Sequence, residues 1–306
     1  MRAHSAIFIA MFVIAGVLPG KSQGQRLTQA NVFYNQALAF ENSHDYDRAI
    51  KNFDQVLSLN PNDAKAYAGR ALAFLKKRDY NKAIRDCDRA LQLDPSIVSA
   101  LEIRGVVYTY EGNYDQALQN YNSVLNLNPT NVNSLSGRGN IYRLKHDYTS
   151  AIRDLNQALQ LNPRYTDAFY NRGLAYRQIG NFNQAINDYN EAAQLTPLNA
   201  DTYYQRGLAY FLMNNNERAI QDYGQAIHLN PTFAPAFYNR YRAYWRKGSY
   251  RFAIADFSRW LWLKLGIAGL IAWLFIIIVF LGVLYDQLPK FVSAFKKRDD
   301  SISLNL

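Results

Sequence analysis

Proline recurs at positions 61, 95, 129, 163, 197 and 231, each 34 residues after the last. A fixed period of that length constrains a chain more than composition can, because each unit must bury its apolar face mainly against its neighbours. Five of the six prolines close a Leu-Asn-Pro or Leu-Asp-Pro triplet, as in Leu59-Asn60-Pro61 and Leu161-Asn162-Pro163, and Leu195-Thr196-Pro197 keeps the form. Proline stops a helix because it lacks an N–H donor and clashes with the turn before it. Two amphipathic stretches precede each proline, so every unit reads as a helical hairpin.

Other positions keep the same beat. Small residues return at Ala37, Ala71, Gly105, Gly139, Gly173 and Gly207, and alanine returns seven times from Ala49 to Ala253. Both let two helices approach closely. Aromatic rings return seven times from Phe40 to Tyr244 to fill the space between hairpins. Short polar linkers such as Gly112-Asn113 and Gly180-Asn181 turn the chain inside a unit.

From about Ala30 to Lys264 the chain therefore resembles the tetratricopeptide repeat family, with seven units at 30–63, 64–97, 98–131, 132–165, 166–199, 200–233 and 234–264. The resemblance implies an all-α solenoid, a right-handed superhelix whose first helices line a concave groove that holds protein or extended-peptide partners. The family's groove positions fall here on Tyr170, Asn171, Arg177, Tyr204, Gln205, Tyr238, Asn239 and Arg242, with Asn140 and Arg143 on the same face. Tyrosines and amides at one-hairpin spacing suit an extended peptide, since amides can bond its backbone while rings pack its side chains. The alternative is a solvated helix face with no ligand. The first three units carry Tyr34, Ala68 and Glu102 instead, which confines the column to the C-terminal part. The family's carboxylate clamp needs a lysine on the first groove helix, where most units here have Tyr or Ala, so no clamp is expected.

A second column joins Arg70, Arg104, Arg138, Arg172, Arg206 and Arg240 to Asp86, Asn120, Asp154, Asp188, Asp222 and Asp256, sixteen residues later in each case. In the first unit the pair is Gln36 and Asn52, so both charges are missing together. The pattern predicts arginine–carboxylate contacts tying helices within the stack; a basic track for an acidic ligand is the alternative.

Two apolar segments flank the repeats. Ala6–Leu18, preceded by Arg2 and broken by Pro19-Gly20, would reach only about 20 Å as a helix, short of a bilayer core of about 30 Å. With small residues following, residues 1–24 read as an export signal cleaved after Gly24; an uncleaved anchor is the alternative. Leu265–Tyr285 is free of charge and as a helix would span about 31 Å, enough to cross. Trp260, Trp262 and Tyr285 stand at its ends, as interfacial rings do. Residues 265–285 are thus the expected transmembrane helix and 286–306 a short basic cytoplasmic tail. The basic counts on the two sides nearly tie, so the export signal decides the orientation. It puts the repeats on the periplasmic side of a bacterial inner membrane. No Asn-x-Ser/Thr sequon is available, since Asn128-Pro129-Thr130 and Asn230-Pro231-Thr232 are blocked by proline, which leans the same way.

Catalytic and metal chemistry leave no trace. The four histidines share no ligand spacing, and no phosphate loop or nucleophile elbow appears. No enzyme activity, cofactor or metal is expected. The net charge of +10 reads first as a mixed solvated surface, with acidic partners or anionic lipid as the alternative; the basic residues form no arm or block, which argues against nucleic acid. Cys87 is the only cysteine and can form no intrachain disulfide. The expected function is a membrane-anchored scaffold binding protein or peptide partners for assembly or organisation of envelope complexes. A tail-anchored cytosolic receptor that recruits clients to a membrane is the alternative.

Overall fold

A computed structural model describes residues 22–266, 269 and 271. Residues 1–21, nearly all of the segment expected to span a membrane, and the tail lie outside the described residues. Among the described residues no helix is long and apolar enough to cross a membrane. Contacts divide the chain at Pro129/Thr130 into two compact units.

The first unit holds three hairpins: α1 (Gln23–Asn42) with α2 (Tyr46–Leu59), α3 (Ala64–Lys76) with α4 (Tyr80–Leu93), and α5 (Val98–Tyr110) with α6 (Tyr114–Leu127). The second holds α7 (Val132–Leu144) with α8 (Tyr148–Leu161), α9 (Thr166–Gln178) with α10 (Phe182–Leu195), and α11 (Ala200–Leu212) with α12 (Asn216–Leu229). Its last hairpin pairs α13 (Ala234–Arg246) with α14, helical over 250–266.

Each hairpin turns on a residue in the left-handed region. His44, Arg78, Gly112, His146, Gly180, Asn214 and Gly248 take φ between 61° and 79°, which only glycine adopts without cost. The next residue caps the second helix in most hairpins: Asp45, Asp79, Asp147, Asn181 and Asn215 each accept a backbone N–H from three residues on. His44 and His146 are thus turn residues.

Small residues on the first helices face large ones sixteen positions later. A Cβ added at Gly173 would lie 2.7 Å from the Tyr189 ring, and one at Gly207 would lie 2.9 Å from Tyr223. Tyr189 and Tyr223 are fully buried. Glycine is what lets those rings lie flat against the helix backbone. The seventh hairpin breaks the rule: Tyr241 stands where the others have Gly or Ala, and its ring meets Phe257 at 5.2 Å.

The column of arginines is structural. In five hairpins the arginine donates side-on, through Nε and Nη2, to both oxygens of its aspartate; Arg206 reaches Asp222 at 2.9 and 2.7 Å. The aspartates are only 4–7% exposed, and such charge-assisted pairs satisfy them where water cannot. The bond to Asp222 holds the Arg206 guanidinium above its usual range. Arg104 finds the neutral Asn120 at 2.8 Å.

Both ends differ from the sequence reading. Helix α1 begins at Gln23, earlier than the repeat boundary expected at residue 30. Ser22 and Gln25 bond each other's backbone N–H groups there, a reciprocal cap that straddles the cleavage position expected after Gly24. At the other end the 34-residue period would place a proline at 265, where the chain has Leu265, and α14 runs to 266 without a linker, with Gly266 at a φ of 62°.

Candidate functional site

In the second unit the first helices of successive hairpins pack side by side: α7 on α9, α9 on α11, and α11 on α13. Tyr170, Asn171 and Arg177 lie on α9, Tyr204 and Gln205 on α11, and Tyr238, Asn239 and Arg242 on α13. Tyr170, Asn171, Arg177, Tyr204 and Gln205 are half-buried, and Tyr238 and Arg242 are exposed.

The tyrosines rest on the core. Tyr170 lies 6.2 Å from the Tyr189 ring, and Tyr204 lies 5.9 Å from Tyr223 and 5.0 Å from Phe233. Tyr238 packs on Trp260 at 5.0 Å and Tyr241 at 5.9 Å. They are shelf residues with one side committed to the fold, not free side chains. Burial raises the Tyr170 and Tyr204 hydroxyls above the ordinary phenol range, so both stay neutral donors.

Asn239 corrects the expectation that amides on this face await a ligand. It is buried, and its Nδ2 donates to the Tyr204 hydroxyl at 2.9 Å and the Pro235 carbonyl at 3.1 Å, while its Oδ1 accepts from Arg242 at 3.3 Å. Its amide is spent in fixing Tyr204 and Arg242. Arg242 also stands over the Phe211 ring at 5.0 Å and Arg246 over the same ring at 3.9 Å.

The charge on this face is unbalanced. Arg143, half-buried on α7, donates through Nε and Nη2 to the Asn140 amide oxygen at 3.2 and 2.7 Å. Burial, with Arg177 adding to it, pulls the Arg143 guanidinium below its usual range. Neither Arg143 nor Arg177 meets a carboxylate among the described residues, whereas Arg138, Arg172, Arg206 and Arg240 each have one. The buried Nε of Arg177 and Oε1 of Gln205 have no hydrogen-bond partner. In the first unit the positions equivalent to Arg143 hold Glu41, Leu75 and Thr109.

Nothing else among the described residues has the form of a chemical site. No cluster of His, Cys, Asp and Glu there could hold a metal ion. Cys87 is buried on α4, and burial pushes its thiol up to about 12.

Sequence profiles described as TPR repeat or tetratricopeptide repeat match residues 34–96, then 105–145, 139–180 and 173–214, and finally 200–233. Together these cover more than half of the chain. No curated protein matches the sequence. Among solved structures, a tetratricopeptide repeat protein from Parabacteroides merdae ATCC 43184 is 20% identical with a TM-score of 0.60, covering 79% of this chain and 96% of its own. The Cut9–Hcn1 hetero-tetramer structure of APC/C is 20% identical with a TM-score of 0.68, over 72% of this chain and 43% of that one. PilW, described as a widely conserved type IV pilus biogenesis factor, is 17% identical with a TM-score of 0.61, over 67% and 94%. Likeness at these identities establishes the fold alone.

Proposed function

Because the chain belongs to the tetratricopeptide repeat family, whose hairpins form binding surfaces, we propose that it is a membrane-anchored scaffold holding an extended, acidic segment of a protein partner along the second unit. The observation that carries this is the pair of half-buried arginines, Arg143 and Arg177, with no carboxylate on them. Burying a cation without a counter-ion is costly, and a partner's carboxylate would relieve that cost. Around the pair, Tyr170 and Tyr204 offer flat apolar faces with hydroxyl donors. Asn171 and Gln205 add amides, side chains of the type that bond a peptide backbone.

Anchoring rests on residues 265–285, whose length and lack of charge fit a membrane span. Residues 1–24 have the form of an export signal, which puts the repeats on the periplasmic side of a bacterial inner membrane. The work done there is assembly or organisation of envelope complexes.

A photoreactive benzoylphenylalanine in place of Asn171 should crosslink the partner in native membranes. Arg143→Gln with Arg177→Gln should cut that capture by about tenfold or more, since charge-assisted bonds contribute about 1.5–3 kcal/mol. Unchanged capture by a variant that keeps its helicity and melting would reject the groove.

A further inference from the structure

Three outward positions on the second helix of each hairpin are polar in six hairpins and apolar in the seventh. Phe252 replaces Arg48, Lys82, Gln116, Ser150, Gln184 and Arg218. Ala255 replaces Lys51, Arg85, Gln119, Arg153, Asn187 and Gln221. Trp262 replaces Ser58, Gln92, Asn126, Gln160, Gln194 and His228. With Arg259 these residues fall at i, i+3, i+7 and i+10 of α14, a single stripe along one face of the helix. The stripe is open: Phe252 is 58% exposed and Trp262 is 40% exposed, and the Arg259 guanidinium stacks over the Trp262 ring at 4.5 Å.

The surroundings say what covers it. Arg246, Arg251, Arg259 and Lys264 crowd this end; Asp256 is held by Arg240, and Lys247 pairs with Glu217 at 2.8 Å. Aromatic rings interleaved with basic side chains match the headgroup layer of an anionic bilayer, where rings sit at the boundary and long cations reach outward. The helix also leads directly into the apolar segment 265–285.

Geometry then decides how α14 meets the surface. Phe252 and Trp262 are ten residues apart, about 15 Å along a helix. A helix standing upright on the membrane would lift Phe252 clear of a headgroup layer only about 5–8 Å deep. All three apolar residues reach lipid together only if α14 lies along the surface. Gly266, with its φ of 62°, is the one described residue of α14 outside the right-handed region, and a change of direction there is what the surface-lying pose requires. We infer that α14 is an interfacial helix lying on anionic lipid through the Phe252–Ala255–Trp262 stripe, so that the last hairpin rests flat on the bilayer. The inference depends on the membrane anchor proposed above.

The test uses the full chain reconstituted in vesicles of phosphatidylcholine and phosphatidylglycerol. In a Cys87→Ala background, Phe252→Cys and, separately, its counterpart Arg218→Cys would carry an environment-sensitive fluorophore. The label at 252 should be blue-shifted and quenched several-fold more by nitroxide-bearing lipid than the label at 218. Flotation and carbonate extraction report the anchor separately. Protein that stays with the vesicles while the 252 label behaves like the 218 label would overturn the interfacial helix and leave the anchor standing. Protein that does not float would overturn both. A 252 label that is shielded, insensitive to nitroxide lipid and dependent on protein concentration would assign the stripe to a second copy of the chain, which also overturns the inference.

Discussion

Arg70, Arg104, Arg172 and Arg206 of the repeated column each reach in two directions, whereas the backward position of Arg240 is Gly224. Arg172 on α9 holds Asp188 on α10 through Nε and Nη2, while its Nη1 donates to Asn156 on α8 at 2.7 Å; Arg206 does the same with Asp222 and Asn190. One guanidinium thus ties its own hairpin and the one before. The forward partner was legible in the sequence, because charge and period coincide. The backward partner was not, although Asp54, Asp88, Asn156 and Asn190 also recur at 34 residues, because a mix of acids and amides on a helix surface reads as ordinary solvated polarity. Glu41 was equally silent. Burial pushes its carboxyl up to about 7, and its Oε1 lies buried without a hydrogen-bond partner. The folded state then holds a proton between pH 4.5 and about 7 that the unfolded chain has released, so stability falls as pH rises through that window and levels off above it. Glu41→Gln should therefore raise the urea midpoint at pH 8 and leave it nearly unchanged at pH 4. Equal effects at both pH values would show that the carboxyl is not held protonated.

At the scale of elements, the period places every hairpin because cap, turn and proline signals all act locally, within a few residues. What it hides is conformational cost. Gly112, Gly180 and Gly248 announce their left-handed turns, but Arg78 occupies the same place with a φ of 61° and no such signal. A side chain in that region costs about 1–2 kcal/mol, partly offset by the extra entropy a glycine would lose on folding. Arg78→Gly should raise stability by about 0.5–1 kcal/mol, seen as a higher urea midpoint with an unchanged slope. Gly180→Arg should move the midpoint the other way. If both substitutions leave it in place, the turn is relaxed enough to accept any residue. The groove was legible in position more than in state. The family pattern finds Tyr170, Tyr204 and Asn239, yet only the packing shows two of them leaning on Tyr189 and Tyr223 and the third already bonded to Tyr204.

For the whole molecule, the proposed topology makes demands on both ends of the chain. If residues 1–24 direct export and are removed, the mature protein begins at Gln25, and the Ser22 cap is lost together with the first turn of α1. Little folding energy goes with it, since residues 22–28 are exposed and the first buried residues of the helix are Ala30 and Ala37. A new positive amino terminus at a helix N-terminus is also mildly unfavourable, so residues 25–29 should fray while the rest of α1 stays packed on α2. Intact mass of the protein purified from membranes should correspond to residues 25–306, and amide exchange should be fast through residue 29 and slow from 30 onward. Protease added to spheroplasts should digest the repeats and spare an epitope placed at 286–306. Retention of Met1 or Arg2 on the membrane-bound protein would exclude signal cleavage. Digestion of the C-terminal epitope with the repeats protected would reverse the orientation and favour a cytosolic receptor instead, with its groove turned toward soluble clients.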